Sequence, residues 1–230
     1  MSKKQDSAGD IGVFPGSALP EAVAAVIAAI ETDIIRSRIL PRNRLIEDHL
    51  MEDYQAKRHV VRAALVELQR LGVVVKPPHL GAQIRRFDEA TLGALYHMRS
   101  VLHQAAVDLM PMPPAPPRLQ ALEAARDAHA AAVLTGDLIA IHRTNMAFHR
   151  VLYGLCDNPY LAESIRLHDW LSFPARAYGI ADAGALAQAC EEHAAMVESL
   201  RRGDRPTLGA LALEHMDRAR RLYVGKFLTR

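Results

Sequence analysis

Residues 45–81 read LIEDHLMEDYQAKRHVVRAALVELQRLGVVVKPPHLG, and the fold turns on this stretch. Its centre, 57–71, is amphipathic at helical spacing. Val60, Val61, Ala64, Leu65 and Leu68 form the apolar side, while Lys57, Arg58, His59 and Arg62 crowd the entry. Gly72 stands just past the last apolar residue, the usual place for a helix C-cap. Val73, Val74 and Val75 then make a short β-branched strand, residues 76–81 a turn, and residues 82–85 a returning strand. Upstream, a short helix is expected over 46–54, after a turn marked by Pro41 and Asn43. A longer one is expected over 21–36, where Val23, Val26, Ile27, Ile30 and Ile34 recur at helical spacing. Three helices followed by a two-stranded hairpin is the order of a winged helix-turn-helix.

The charge agrees with that reading. The whole chain of 230 residues carries a net charge of only +2. Between Arg36 and Arg86, however, 11 Lys/Arg face 5 Asp/Glu, so this part is +6 and the remainder −4. A basic unit beside a mildly acidic one predicts that only the first meets a polyanion. In a helix-turn-helix the second helix of the pair enters the major groove. Arg58 and Arg62, four residues apart, share one helical face and suit guanine edges, while Lys57 and His59 suit phosphate. Lys76, before the wing turn, is placed to touch the backbone or minor groove. The plainer alternative is a solvated basic face on an arbitrary domain.

Beyond Asp88 the pattern is helical to the end, so the fold class is mainly α. Helices are expected over 88–110, 118–134, 138–156, 159–173, 185–202 and 205–228. They are punctuated by Gly136-Asp137, Asp157-Asn158 and Gly203-Asp204, each pairing a stop signal with a good N-cap. The proline-rich run 111–117 (PMPPAPP) reads as a stiff connector. The expected organisation is a disordered start over 1–18, a winged unit over 19–86, and an antiparallel helical bundle over 87–230. The two cysteines, Cys156 and Cys190, make no disulfide framework or thiolate zinc site and read as small buried hydrophobes. No apolar run is long enough to span a bilayer, and no apolar segment follows the lysines of the N-terminus. A cytoplasmic protein with no membrane partner is expected.

Here the sequence resembles a known family. Leu45-Ile46-Glu47, Leu50-Met51, Arg58, Val61-Arg62, Ala64-Leu65, Leu68, Gly72 and Gly81 are similar to the winged helix-turn-helix of the GntR family over about residues 21–86. The resemblance implies DNA contact by Arg58, Arg62 and the wing around Gly81. Three positions depart from the family pattern: Lys57 stands for the usual serine, Val60 for a proline, and Ala63 for an acidic residue. These changes bear on the operator and not on the fold.

The bundle carries most of the 11 histidines. Asn145 and His149 lie at i and i+4 on one helix. His193 precedes Gly203 by ten residues and His215 follows it by twelve, so an antiparallel helix pair turning at Gly203 would bring both to similar heights. Facing histidines plus one from a neighbouring helix suit a divalent metal; ordinary amphipathic histidines are the alternative. Phe148-His149, residues 157–161 (DNPYL), Glu192-His193 and Gly203-Asp204 followed by His215 resemble the FCD effector domain of FadR-type GntR proteins, over about residues 88–228. The resemblance implies a metal site at His149, His193 and His215, with Asn145 where the family has an aspartate. The lost negative charge implies weaker metal binding or a shift towards zinc or nickel, or else a metal-free pocket whose histidines hold an anion directly.

It also implies a small carboxylate effector countered by Arg99, with His103 in place of a common glutamate; Arg99 suits a surface or interdomain salt bridge equally well. Tyr153, Arg166 and Trp170 are candidates to line the cavity or to be plain core. The function expected is a ligand-responsive regulator, read as a repressor, binding a two-fold DNA operator; the resemblance implies that the bundle over 87–230 serves effector binding and dimerisation, making the protein a homodimer. The rivals are a metal-dependent hydrolase and a ligand-independent DNA-binding protein. Against the hydrolase, no Ser-His-Asp pattern, glycine-rich phosphate loop or HExxH motif is present.

Overall fold

The computed structural model describes residues 19–229; the expected disordered start over 1–18 lies outside them. The described chain is mainly α-helical. Helices α1 (Glu21–Ile35), α2 (Glu47–Asp53) and α3 (Arg58–Arg70) are followed by strands β1 (Val74–Val75) and β2 (Gln83–Ile84). Helices α4 (Glu89–Leu109), α5 (Pro116–Thr135), α6 (Leu138–Gly154), α7 (Pro159–Arg176), α8 (Ala183–Arg202) and α9 (Arg205–Phe227) then run to the end. A 3-10 turn, Ala177–Gly179, follows α7.

The two strands form an antiparallel hairpin, Val74 opposite Ile84 and Val75 opposite Gln83. Arg44 adds an isolated antiparallel bridge to Gln83, which ties the segment before α2 to the wing. Gly72 follows the end of α3 with φ +75°, a conformation that costs a glycine little.

The helical unit is assembled from clear start and stop signals. Asp88, Asp137, Asn158, Asp182 and Asp204 each accept a backbone N–H with the side chain at a helix N-cap. Gly136 and Gly203 end α5 and α8 in the left-handed conformation. The proline-rich connector is shorter than expected. Pro116 and Pro117 already belong to the first turn of α5, where a missing N–H costs nothing. Helix α7 also runs past the expected end at Phe173 to Arg176 despite Pro174.

One hydrophobic cluster joins the two halves. Ile30 and Ile34 of α1 and Leu68 of α3 share it with Phe173, Tyr178 and Tyr223 of the helical unit. Burying one such side chain is worth about 1.5–3 kcal/mol, so the winged unit is firmly seated. Polar ties reinforce the contact. The Tyr178 hydroxyl donates to the Ile39 carbonyl at 2.9 Å, and the Phe87 N–H donates to the Tyr223 oxygen at 3.1 Å. A second cluster, including Phe148, Leu152, Met196 and Leu208, lies wholly within the helical unit. Among the described residues, no helix is long and apolar enough to cross a membrane.

Candidate functional site

Helix α3 presents its polar entry to solvent. Lys57 is its N-cap, and Lys57, Arg58, His59 and Arg62 are all exposed, while Val61, Ala64 and Leu68 are buried beneath them. Arg58 and Arg62 share a face as expected, but they have partners there. Arg58 Nη2 donates to Asp48 Oδ1 at 2.5 Å, and Arg62 Nε donates to Glu47 Oε2 at 2.8 Å. Exposed pairs of this kind are worth less than about 1 kcal/mol, so a polyanion can replace them. Lys76 is exposed at the start of the wing turn, and Gly81 adopts φ +73° at its end. A Cβ at Gly81 would sit 3.8 Å from Arg44 Nη2, so Arg44 adds a cation beside the wing. Arg44 was not singled out from the sequence because it precedes the helix pair.

The second site is a cavity of about 120 Å³ inside the helical unit. Asn145 and His149 of α6 line it with His215 of α9, Arg99 and His103 of α4, and Tyr153 of α6. The antiparallel turn at Gly203 brings α8 and α9 together as the spacing predicts: His193 Nε2 lies 3.4 Å from His215 Nε2, and His149 Nε2 lies 3.0 Å from the same atom. Two imidazole nitrogens bound to one ion at about 2.0–2.1 Å are themselves about 3.0–3.4 Å apart. The three side chains therefore fit a divalent ion such as zinc or nickel. The ligand-capable atoms of His149, His193 and His215 all lie within 4.8 Å of one another.

Neighbouring groups set the rings for this role. His215 Nδ1 donates to Glu192 Oε2 at 2.7 Å, which leaves the Nε2 lone pair free to ligate. Glu192 is itself held by Arg218. His193 is fully buried and stacks on Phe148 with ring centroids 3.9 Å apart. Burial first, then neighbouring positive charge, holds His149 and His193 well below the ordinary histidine range. Burial, then Arg99 and Arg176, brings His215 down to about 4. Neutral rings are the form that ligates.

Arg99 is 4 % exposed and donates to Asp169 Oδ1 at 2.8 Å, so it is a cavity residue and not a surface one. Its Nε and Nη1 are buried without a partner among the described residues, which leaves donors for an anion. His103 is buried, with Nδ1 2.8 Å from the Tyr153 hydroxyl. The other two cavity candidates are placed elsewhere. Trp170 lies in the core shared with the winged unit, and Arg166 pairs with Glu163 at 2.9 Å.

The sequence reading did not single out His129, His142, Asp169, Arg176 or Arg218, all of which line the cavity. His142 had a signal: with Asn145 and His149 it falls at i, i+3 and i+7 on one face of α6. Asp169 and Arg176 likewise fall at i and i+7 on α7, and Arg218 follows His215 by three on α9, while His129 stands on α5 with no such neighbour in the set.

The chain matches the model of the FCD domain over residues 94–218 and that of bacterial regulatory proteins of the gntR family over residues 22–84. No curated protein sequence matches it. Among solved structures it is similar to E. coli McbR/YncC, with a TM-score of 0.71 at 19% identity over 91% of this chain and 100% of the other. A structure described as a transcriptional regulator GntR from Rhodococcus sp. RHA1 gives a TM-score of 0.70 at 19% identity, over 90% of this chain and 100% of that one. At such identities these likenesses bear on the fold alone, and both span winged unit and helical bundle together. With its two units matched in this order, the chain belongs to the gntR family of bacterial regulatory proteins, as a DNA-binding transcriptional regulator with a C-terminal ligand-binding FCD domain.

Proposed function

We propose that this regulator is a cytoplasmic homodimer that binds a two-fold DNA operator through α3 and the wing, and that a small carboxylate in the helical cavity sets its affinity. The observation that carries this reading is the convergence of His149 and His193 Nε2, at 3.0 and 3.4 Å, on His215 Nε2, beside a cavity lined by His149, His215 and Arg99, whose Nε and Nη1 have no partner among the described residues.

On the DNA side, Arg58 and Arg62 exchange Glu47 and Asp48 for base edges. Lys57, His59 and Lys76 contact phosphates, and Gly81 lets the wing approach the backbone closely. On the effector side, His149, His193 and His215 hold a divalent ion with Asn145 beside them, and such an ion supplies open positions for a carboxylate oxygen. Arg99 neutralises the carboxylate and His103 borders it. Histidine donors with a neutral amide, and no carboxylate in the set, favour zinc or nickel. A ligand shifts operator affinity only by its differential binding to the two arrangements of the winged units. Hydrolysis is disfavoured because the cavity carboxylates are already committed, Asp169 to Arg99 and Glu192 to Arg218 and His215.

The test is metal analysis of protein purified without a histidine tag, alongside His149→Ala. About one metal per chain, lost in the variant, is expected. Protein that takes up no zinc, nickel or manganese on incubation would contradict the metal-based reading.

A further inference from the structure

Among the described residues, the ion pairs at the cavity leave one cation over. Arg99 pairs with Asp169 and Arg218 with Glu192. Arg176, at the end of α7, lines the same cavity but among the described residues hydrogen-bonds only neutral acceptors: Nε donates to Ser172 Oγ at 3.2 Å, Nη2 to the Asp169 carbonyl at 3.0 Å, and Nη1 faces Met146 Sδ at 3.6 Å. Across from it on α6, one turn before Met146, stands His142. Its ring packs on Phe173, centroids 5.5 Å apart, and Phe173 is one turn before Arg176. His142 and Arg176 thus both line the cavity, from stretches of α6 and α7 that meet through Met146 and Phe173.

His142 is also the cavity's link to the winged unit. Its Nε2 donates to Glu31 Oε1 of α1 at 3.0 Å, with the two side chains 8% and 14% exposed. Arg176 lies within electrostatic reach of the same carboxylate. Helix α1 in turn packs on α3. The stripe His142, Asn145, His149 therefore runs along α6 from the contact with α1 to the histidine triad, a rise of about 10 Å for seven residues.

We propose that Arg176 and His142 form a second anion subsite, so that the effector is an elongated molecule with two acidic groups. One group sits at the histidine triad, while the other takes His142 from Glu31 and so loosens α1. This rests on the reading of the cavity as a carboxylate site. Glu31 acts as a built-in competitor: its carboxylate occupies the donor that the second acid of the effector needs. A ligand with one acidic group satisfies the triad and leaves the His142–Glu31 pair intact.

The test is calorimetric titration of the full-length zinc-loaded protein with acetate and with the α,ω-dicarboxylates from succinate to suberate. The readout is the ratio of the best dicarboxylate affinity to the acetate affinity. At least one dicarboxylate binds more tightly than acetate to the wild type. Arg176→Met lowers the ratio roughly tenfold or more, the scale of a lost charged hydrogen bond. Glu31→Gln, which keeps the size and removes the competing charge, raises the ratio several-fold, a gain that mere structural damage does not produce. Hydrogen exchange across 21–35 quickens with the dicarboxylate and not with acetate.

A wild type that binds acetate but no dicarboxylate more tightly would overturn the subsite. So would a ratio that Glu31→Gln leaves unchanged or lowers. Unchanged exchange in α1 would overturn the coupling. Failure of both acetate and every dicarboxylate to bind would instead remove the carboxylate reading itself, and the subsite with it.

Discussion

The oxygen of Tyr223, near the end of the last helix, accepts a hydrogen bond at 3.1 Å from the backbone N–H of Phe87, the residue between the wing and α4. Both side chains are buried, and their rings meet edge-on with centroids 6.2 Å apart. The last helix, α9, is thereby fastened to the segment between the wing and α4. Tyr223→Phe keeps the packing but leaves a buried N–H without its acceptor, at a cost of about 1–3 kcal/mol. Urea unfolding measures it, and an unchanged midpoint would show that the hydroxyl is not a structural tie.

Gly72 joins the same interface from the other side. Its φ of +75° would strain any residue with a Cβ, and a Cβ there would press into Leu171 of α7. Left-handed geometry costs about 1–2 kcal/mol, and displacing Leu171 adds to that. Gly72→Ala is expected to lower the melting temperature by several degrees while leaving the metal content unchanged. Wild-type stability in this variant would contradict the close seating of the winged unit on α7.

The buried histidines make the metal-free protein acid-sensitive. Burial holds the pKa of His103, His149 and His193 well below the ordinary range and that of His215 at about 4. In the unfolded chain all four titrate near about 6.5. Below that value the unfolded state binds protons that the folded state does not, so stability is full above pH 6.5 and declines as pH falls towards 4. The slope approaches about 1.4 kcal/mol per pH unit for each histidine involved. Urea midpoints in the presence of a chelator should fall between pH 7 and pH 5; equal midpoints would contradict the neutral, buried state of the rings.

Glu192 orients His215 through Nδ1 at 2.7 Å and anchors Arg218. Glu192→Gln is expected to weaken zinc binding by about tenfold or more, as outer groups of metal sites do, without removing a ligand. Competition against a chromogenic chelator reads the change, and wild-type affinity would deny Glu192 this part.

Much of the architecture was legible because it rests on local rules. The amphipathic stripe of 57–71, the glycine at 72 and the β-branched valines before the wing each state their own conformation, and so do the Gly-Asp pairs at the bundle turns. His193 and His215 were legible as neighbours because a turn at Gly203 converts sequence distance into height. What was not legible depends on how separate helices pack. Trp170 and Arg166 lie on α7, and nothing in their spacing told which face of that helix meets the cavity. Arg99 appears as a lone cation in the sequence, and its partner Asp169 lies 70 residues away. The pairing of Arg58 and Arg62 with Glu47 and Asp48 depends on the angle between α2 and α3, which no periodicity reports. The shared core of winged and helical units was equally hidden, since the change of pattern and of charge after residue 86 suggests independence.

The central claim, sequence-specific DNA binding by a dimer, is tested most directly by selecting the full-length protein against randomised duplex DNA, in parallel with Arg62→Ala. The account predicts one enriched motif with two-fold-related half-sites, bound by the wild type and lost by the variant. A pool that stays unenriched, or a motif that Arg62→Ala binds with wild-type affinity, would contradict it.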